Sequence, residues 1–580
     1  MSKKYIVVFF LFFIKCFAQQ PVFEYKHLPS AEELSGPVFF QTGSGIKTPP
    51  NFQHIRTSAE WEEIEYLTIT WTSFTSILRE IVKYAVPETK VLIVCSDSNT
   101  VKNYLLAGNV PVTNVKYLIA PFNSIWIRDY GQNTVYANRV DSRFLVDWHY
   151  NRPTRPKDDT IPSRVANFLN SPLYETTLAP YDLISTGGNF MSDGMGTAFS
   201  SQLIDQENPS LTSSQIDTIS KKFMGINRYI RFPVLPYDGI HHIDMHMKLL
   251  DEQTLLVGQY PTGISDGPQI EANLQYILSN FNSSFGTPYK VIRIPMPPDK
   301  FGLYPNANGA YTTYTNAVFV NKTVILPTFY QQYDTTALRI WKESLPGYKI
   351  IGIDCDNSGA NIIAQSGAIH CITNSVGVSD PLLITHQPIE NNCDSINSFA
   401  VNASIEHQTG ISSATVFWTN DTSLGFINTV PMNNFLANNW SASIPNQVNG
   451  STVYYYIQAT ANSGKTITRP LVAPSGFWKF SVNCITTSTS NAGLPFEFKP
   501  IYPNPATSIT CIPLHFNQAD EVSITILDCL GREVKEIYRG IVEPGDKNYF
   551  IFANEFSSGT YLVQIKTNFG IKHQKIMIKN

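Results

Sequence analysis

The chain has 580 residues, of which 43% are hydrophobic and 15% are charged, and its formal net charge is −4. This length predicts two to four domains, and the hydrophobic content excludes an intrinsically disordered chain. The negative net charge and the lack of any Lys/Arg cluster exclude a basic nucleic-acid-binding protein. The 29 Tyr and 35 Phe residues, together with abundant Asn, Ser and Thr, favour a β-rich exported protein.

Residues 1–18 predict a signal peptide. Lys3 and Lys4 precede an apolar run at 5–14, and a small-residue cleavage site precedes Gln19. The apolar run is too short to cross a bilayer, which takes about 20 apolar residues, and no later apolar run is long enough either. We therefore expect an exported protein without a transmembrane segment, either secreted or attached to the cell surface.

Residues 19–383 alternate apolar strands with helical segments, which predicts an α/β fold. Strands are predicted at 91–95, 117–120, 144–146, 255–258, 324–326 and 349–353, and helices at 73–86 and 334–345, the second with Asp334 as N-cap. The alternation alone leaves a doubly wound sheet, a barrel and a propeller open.

Residues 384–484 show strand signals without helical periodicity. The signals lie at 414–418, 440–444, 453–459 and 478–482, and they predict an immunoglobulin-like β-sandwich without a catalytic constellation of its own. Cys393 and Cys484 flank this module, and we expect them to form a disulfide because export permits the bond. Cys511 and Cys529 are the other candidate pair.

A Ser/Thr-rich linker, 485–498, leads to a last module at 499–580, which reads as a small β-sandwich. The motif YPNP opens it, strands are predicted at 522–527 and 561–566, and the chain ends in a hairpin. The order of YPNP, GTYLVQI and a terminal KIMIKN resembles the C-terminal sorting domain of the bacterial type IX secretion system. The resemblance implies that the type IX machinery is a partner, and an ordinary terminal β-domain is the alternative.

Cys371 is a candidate nucleophile. The chain contains eight cysteines, and signal cleavage would remove Cys16, so the seven that remain cannot all pair. Cys371 follows the Ser/Gly/Ala stretch 366–368, which permits close approach of a ligand to the backbone. A buried, inert cysteine is the alternative.

The stretch HHIDMH at 241–246 concentrates histidine and carboxylate. On a β-strand, alternate residues share a face, so that His242, Asp244 and His246 would point together. These residues suit a metal site or, alternatively, an acid–base histidine beside a substrate-binding carboxylate. A purely structural, hydrogen-bonded role is the third interpretation.

Two glycine-containing stretches complete the candidates. WIRDYG at 126–131 places Asp129 at a strand end before a glycine turn, and an ion pair with Arg128 is the structural alternative. TGGNF at 186–190, followed by SDG at 192–194, is a second glycine-rich turn, for which a plain loop is the alternative.

In chain order, WIRDYG, TGGNF with SDG, HHID and IHCIT resemble the bacterial peptidylarginine deiminase and agmatine deiminase family. Each stretch is unspecific alone, whereas their joint order is specific, and the resemblance covers most of residues 30–383. It implies a five-bladed α/β propeller of the guanidine-modifying (pentein) type, with the active site at its centre. The two β-sandwich modules lie outside the resemblance.

The resemblance also implies roles for the residues that match the family motifs. These are Cys371 as nucleophile, His242 and Asp244 as the HxD pair, Asp129 as the carboxylate of WxRDxG, Trp126 as the indole near the substrate, and Asn316 as a catalytic asparagine of the peptidylarginine branch. His246 has no transferable role. The loop 148–156 resembles the substrate loop of that branch, with Arg152 and Arg155 as its arginines and Thr154 as an extra residue between them.

These residue types suit the hydrolysis of a guanidinium. Asp129 and Asp244 can grip the planar cation through paired N–H bonds and offset its desolvation. The Cys371 thiolate, favoured by the bound cation and by His242, attacks perpendicular to the plane. His242 then protonates the departing ammonia and activates the water that releases a covalent thiouronium. No metal or organic cofactor is required, and a structural calcium ion is left open.

Three functions remain open at this point. The first is an exported deiminase of peptide or protein arginine, favoured because export brings such substrates and because arginine holds a C-terminal carboxylate bidentately. The second is an agmatine deiminase, which would make N-carbamoylputrescine for putrescine biosynthesis. The third belongs to another class, a non-catalytic surface adhesin with an immunoglobulin-like arm.

Overall fold

A computed structural model describes residues 26–31, 33, 43–391, 398–482 and 496–579. The predicted signal peptide lies outside the described residues, and so do Cys393 and Cys484, whose disulfide stays a prediction. Across the described ranges, no helix is long and apolar enough to span a bilayer.

Residues 55–377, all of them described, form five mixed β-sheets with one recurring pattern. In each sheet, one strand pairs antiparallel with a second, and the second pairs parallel with a third. By sheet, these strands are Asn133–Ala137, Arg143–Tyr150 and Leu173–Thr176; Met191–Ser192, Thr197–Ser201 and Arg228–Phe232; Met247–Asp251, Thr254–Gln259 and Lys290–Pro295; Val318–Val320, Thr323–Thr328 and Lys349–Asp354; Asn374–Gly377, Ile64–Thr70 and Lys90–Cys95. Further strands are Ile55–Thr57 and Ile184–Ser185 beside the first set, Val115–Ile119 beside the last, and the separate hairpin Asp356–Asn357 with Ala360–Asn361.

Helices connect the parallel strands, because a parallel pair needs a crossover that returns the chain to the same end of the sheet. They span Thr75–Ala85, Ser98–Ala107, Ile161–Leu169, Leu203–Glu207, Ser213–Met224, Gly267–Asn280 and Gln331–Ser344. The first helix buries Ile77, Leu78, Ile81, Val82 and Ala85, which lie on one face at helical spacing and pack on the core. This arrangement confirms the predicted α/β alternation.

Each of the two C-terminal modules consists of two sheets around one apolar core. The strands of the middle module are Leu383–Thr385, Phe399–Glu406, Asn439–Ile444 and Asn433–Leu436 in one sheet, and Asn428–Pro431, Ile411–Thr419, Thr452–Ala461, Thr466–Arg469 and Trp478–Ser481 in the other. Those of the last module are Phe496–Phe498, Ile509–Phe516 and Gly545–Phe552, facing Glu533–Val542, Asp520–Leu527, Gly559–Thr567 and Gly570–Ile578.

Both C-terminal modules contact the α/β part. The Arg469 guanidinium of the middle module donates to both carboxylate oxygens of Glu252 at 3.0 Å. In the last module, Tyr502 lies under the Arg339 guanidinium, 3.4 Å from ring centroid to Cζ, and donates to Glu343 at 3.2 Å. At both contacts, charged side chains of the α/β part are therefore bound by a residue of the C-terminal module.

Several local predictions are wrong. Asp334 is not the N-cap, because the helix already begins at Gln331; its carboxylate instead accepts from the Phe329 N–H at 2.9 Å. The predicted linker ends too late, since Phe496–Phe498 already pairs with the next strand. Leu383–Thr385 pairs with Phe399–Glu406, so the middle module begins before the predicted boundary at 384.

The alternative disulfide between Cys511 and Cys529 is also wrong. Both thiols are free: Cys511 is buried on the strand Ile509–Phe516, whereas Cys529 lies exposed in the turn after Asp520–Leu527, a strand of the other sheet. The two side chains therefore occupy different environments of the module, and only the Cys529 thiol is accessible to reagents.

Trp341 anchors the helix Gln331–Ser344 to the chain segment that precedes the strand Val318–Val320. Its side chain is fully buried, and its indole N–H donates to the Tyr314 carbonyl at 3.1 Å. We predict that Trp341→Ala destabilises this part of the chain by about 3–5 kcal/mol, because it leaves a cavity and an unpaired carbonyl. Urea unfolding followed by circular dichroism measures the loss.

Phe301→Ala is the control, because Phe301 is 75% exposed and should change the free energy of unfolding by less than about 0.5 kcal/mol. Equal unfolding midpoints for the Trp341 variant and the wild-type chain would contradict the anchoring role.

Candidate active site

Five short segments meet at one place in the α/β part. Each one directly precedes the antiparallel first strand of one of the five sheets. The segments are 124–131, 186–190, 240–246, 312–317 and 366–373, and they contain all four stretches singled out in the sequence together with Asn316. The repeated position in the sheets therefore brings together residues that are up to about 250 positions apart in the chain.

Cys371 is fully buried at this meeting point. The Asn316 amide N–H donates to its Sγ at 3.1 Å, and the Asn316 side-chain oxygen accepts from the His370 N–H at 2.9 Å. Asn316 thus holds both the thiol and the backbone next to it. Burial, with Asp244 and then Asp129 adding to it, raises the pKa of the Cys371 thiol well above its ordinary value.

Asp244 lies beside the thiol, with Oδ2 at 3.7 Å from the Cys371 Sγ. The same oxygen lies 2.7 Å from Nδ1 of His370, while the other oxygen, Oδ1, is buried without a hydrogen-bond partner. One carboxylate oxygen is therefore fixed by the fold, and the other is left for a ligand.

His370 connects Asp244 to further buried charges. Its Nε2 lies 2.7 Å from Oε1 of Glu60, and the Lys248 ammonium donates to the second Glu60 oxygen. A ring between two carboxylate oxygens donates to both only when both nitrogens carry protons. Burial raises the pKa of Glu60, but His370, Lys248 and Arg128 outweigh burial and hold it well below its usual range.

Asp129 and His242 form the opposite wall. Oδ1 of Asp129 lies 3.6 Å from Nδ1 of His242 and accepts from the Gly188 N–H at 3.3 Å. A Cβ on Gly188 would come within 2.4 Å of Nδ1 of His242, so this wall requires glycine. Burial lowers the pKa of His242 to about 4, which makes the ring neutral at pH 7.

His27 completes the wall from the N-terminal segment. Its Nε2 lies 2.6 Å from Oδ2 of Asp129, its Nδ1 lies 2.7 Å from the Ser366 carbonyl, and its ring stacks on Trp126 with 4.1 Å between centroids. Burial raises the pKa of Asp129, but His27 and His242 outweigh it and hold the pKa below its usual range. The indole of Trp126 therefore faces the site, and the imidazole of His27 stacks on it.

Both predicted loop arginines reach the same N-terminal segment. Nε of Arg155 donates to Oε1 of Glu33 at 2.9 Å, and a terminal nitrogen of Arg155 donates to the second Glu33 oxygen at 3.2 Å. Arg152 donates to the His27 carbonyl at 3.3 Å and to that of Asn151 at 3.0 Å. Arg155 thus contacts a carboxylate, whereas Arg152 contacts main-chain carbonyls.

The stretch HHIDMH is not a strand, contrary to the sequence expectation. Ile243–Met245 forms a single helical turn, because the backbone must bend before the strand Met247–Asp251 begins. His242 and Asp244 both reach the site, but neither nitrogen of the buried His246 has a hydrogen-bond partner. The group within the described residues that could hold a metal ion is instead His27, Asp129 and His242, whose ligand atoms lie within 4.8 Å of one another.

The sequence patterns missed His27, Glu33, Glu60 and Lys248, and they assigned no role to His370 although it belongs to IHCIT. Only His370 carried a usable signal, its position beside the candidate nucleophile. The others sit 110 or more positions from Cys371 in the chain, in stretches without a motif, and only folding brings them to the site.

Comparisons with known proteins find relatives by sequence and a solved structure of similar fold. A curated relative from Vibrio parahaemolyticus, named "Putative agmatine deiminase", is 24% identical over 337 residues, covering 53% of this chain and 87% of the relative. One from Marinomonas sp. with the same name is 24% identical over 374 residues, covering 57% and 97%. A solved structure of that name shares the fold with a TM-score of 0.50 at 18% identity, covering 59% of this chain and all of its own.

Two family models match the chain. The model of the "Secretion system C-terminal sorting domain" matches residues 500–579, as the C-terminal motifs predicted, and indicates export through the type IX system. The second model matches residues 55–376, which is more than half of the chain and includes all the sheet-forming segments of the site. The chain therefore belongs to the Porphyromonas-type peptidyl-arginine deiminase family, whose enzymes are hydrolases of C–N bonds in guanidino groups.

Proposed function

We propose that this chain is an exported, cysteine-dependent deiminase that converts the guanidinium of peptidyl-arginine, preferably at a peptide C-terminus, into a ureido group. Water is consumed and ammonium is released. The observation that carries the proposal is the convergence of one buried thiol with two buried carboxylates, Asp244 beside Cys371 and Asp129 beside His242. Family membership disfavours the adhesin alternative.

The proposal includes the architecture that the sequence resemblance implied. The five mixed sheets act as five blades of an α/β propeller, with the five site segments around its axis. The two sheets of the middle module form an immunoglobulin-like β-sandwich, and those of the last module form the β-sandwich of the sorting domain. The signal peptide would begin export, and the sorting module would pass the chain to the type IX machinery.

Asp129 and Asp244 would grip the guanidinium from two sides. The free Oδ1 of Asp244 and the oxygens of Asp129 accept N–H bonds in the plane of the cation. His370 positions Asp244, since its bond to Oδ2 leaves Oδ1 for the substrate. Trp126 covers the face of the cation, as an indole does in cation–π contacts.

Substrate binding itself would activate the nucleophile. In the free chain, burial and the two carboxylates raise the pKa of the Cys371 thiol, so the thiol is protonated. A bound guanidinium places positive charge between the carboxylates and removes their effect on the thiol. The neutral His242, with a pKa of about 4, then accepts the thiol proton.

The remaining steps balance without a metal or an organic cofactor. Sγ of Cys371 bonds to the guanidinium carbon, and one C–N bond breaks as His242 returns its proton to the leaving ammonia. Water then loses a proton to His242 and attacks the thiouronium carbon. The C–S bond breaks, the protonated ureido product gives a proton to the Cys371 sulfur, and the proton on His242 passes to the released ammonia to give ammonium. The Asn316 N–H, 3.1 Å from Sγ, stabilises the sulfur whenever it is anionic.

The arginine loop supports peptidyl-arginine as the substrate class. Arg155 and Arg152 are both buried, and a buried guanidinium requires an anionic or carbonyl partner. A C-terminal carboxylate could take the place of Glu33 as the anionic partner of Arg155, whereas agmatine brings no carboxylate. Agmatine deiminase stays the second candidate because the curated relatives carry that name.

We predict that Cys371→Ala lowers turnover at least about a hundredfold, because the step that needs a covalent nucleophile is lost. Cys95→Ala is the matched control, since Cys95 is also a buried free thiol but lies outside the site. A colorimetric ureido assay on a peptide ending in arginine measures both. Turnover of the Cys371 variant within tenfold of wild type would remove its assignment as nucleophile.

The pH profile reports on His242. Because its pKa is about 4 instead of the usual 6.5, the ring stays neutral and able to accept a proton down to about pH 4. We therefore expect kcat/KM to fall as the pH drops through about 4, where His242 becomes protonated. Activity regained on return to pH 7 separates this titration from unfolding, and an acid limb near 6.5 would contradict it.

Specificity is tested with one peptide ending in arginine, its amide, and agmatine. We predict the highest kcat/KM for the free acid, since among the three substrates only its carboxylate can replace Glu33 on Arg155, and a buried charge that loses its partner costs about 3–5 kcal/mol. Arg155→Ala and Arg152→Ala should shrink the acid-to-amide ratio, whereas the solvent-side Arg164→Ala should preserve it. Equal rates on acid and amide would contradict the role of the loop, and a preference for agmatine would favour the second candidate.

A further inference from the structure

We propose that residues 26–31 together with Glu33 form an intramolecular pseudosubstrate that fills the active site and keeps the chain in a closed, low-activity state. The inference rests on the proposed function, because it interprets the same pocket as a guanidinium site. The segment lies outside the range matched by the deiminase family, which begins at residue 55. It also follows the predicted cleavage site before Gln19, so the exported chain would keep it.

His27 has the features of the expected substrate head group. Its two ring nitrogens face two acceptors, the Ser366 carbonyl at 2.7 Å and Oδ2 of Asp129 at 2.6 Å. Both hydrogen bonds form only when both nitrogens carry protons, so the bound ring is a planar cation. It stacks on Trp126 at an interplanar angle of 10°, as a guanidinium would.

Glu33 has the features of the expected substrate carboxylate. Its two oxygens take the Arg155 fork, and Oε1 also accepts from the Thr154 hydroxyl at 2.7 Å. Both partners of the ion pair are 1% exposed. The pKa of Glu33 is accordingly lowered: burial raises it, but Arg155 and the hydrogen bonds to Ser30 and Thr154 outweigh burial.

Hydrogen bonds within the segment and contacts with its surroundings hold it in this position. Ser30 and Glu33 exchange a reciprocal pair of hydrogen bonds, the Ser30 N–H to Oε2 of Glu33 at 2.8 Å and the Glu33 N–H to the Ser30 hydroxyl at 3.1 Å. Leu28 packs against Gly239, where a Cβ would come within 2.7 Å of its Cδ2. The main-chain carbonyl of Lys26 accepts from Arg155 at 2.7 Å.

Binding of this segment and of substrate is mutually exclusive, since Oδ2 of Asp129 and the Arg155 fork cannot hold two partners at once. Because the segment is tethered, it competes at a high effective concentration. The apparent kcat/KM of the chain is then the value of the open form multiplied by its population. Removal of the segment by a protease, or its displacement by a substrate, would activate the enzyme.

The first test uses His27→Ala and Glu33→Gln in the full chain, with Lys102→Ala as control because the Lys102 side chain is exposed and lies outside the segment. We expect both variants to raise kcat/KM on a peptide ending in arginine. For His27→Ala the increase should be at least about tenfold, which means that the closed state loses about 1.4 kcal/mol of free energy relative to the open state. The Lys102 variant should match wild type. A lower kcat/KM for His27→Ala would make His27 part of the catalytic machinery and overturn the proposal.

The second readout does not depend on turnover. Iodoacetamide labelling of Cys371 at fixed pH, quantified by peptide mass spectrometry, should be at least about tenfold faster in His27→Ala, because the thiol becomes accessible when the segment leaves. The exposed Cys529 thiol is the internal reference and should label equally in all variants. Unchanged labelling of Cys371 would overturn the closed state.

The two readouts separate the hypotheses. If Cys371 is labelled faster but no variant forms a ureido product, the segment covers the site and the deiminase assignment is refuted. If the chain turns over substrate but the variants change neither the labelling of Cys371 nor kcat/KM, the deiminase assignment stands and the pseudosubstrate is refuted. As a check on the segment itself, a synthetic peptide of residues 26–33 should inhibit His27→Ala competitively. The same peptide with alanine in place of its histidine should inhibit at least about tenfold less, and equal inhibition would contradict the cation mimicry.

Discussion

Two carboxylates buried beside a thiol are the constraint on which the rest of this structure depends. Asp129 and Asp244 are each about 1% exposed or less, and a buried anion without a partner is too costly to keep. Each is therefore bound through Oδ2 to an imidazole, at 2.6 Å for His27 and 2.7 Å for His370. The charge that would attract a guanidinium is stabilised before any substrate arrives.

The two imidazoles lie on different kinds of segment: His370 is bound within the core, whereas His27 lies on a short N-terminal segment. His370 belongs to the segment that carries Cys371, and Glu60 and Lys248 extend its contacts into the core. His27 belongs to a short segment before the family-matched range, and it can be withdrawn without disturbing a sheet. One carboxylate thus has a permanent partner, and the other has a partner that a substrate could replace.

The repetition of the sheets explains how scattered residues form one site. Each site segment ends where an antiparallel strand begins, so five equivalent positions converge although 242 residues separate Asp129 from Cys371. The alternation of apolar runs predicted six of the strands and two of the helices of this part, because burial on two faces leaves a clear pattern. It could not predict the order of strands within a sheet, which depends on pairing between distant segments.

The sequence alone determined the α/β class of the first 380 residues, the β-rich character of the rest, the sorting motif, and the motifs that contain Cys371, His242, Asp244 and Asp129. These features are local, since periodicity and short motifs are written in neighbouring residues. Only the tertiary structure decided that His370, Glu60 and Lys248 support Asp244, that Asn316 bonds the thiol, and that His27 and Glu33 occupy the pocket. Such contacts join residues far apart in the chain, and their hydrogen-bond geometry exists only after the sheets have packed.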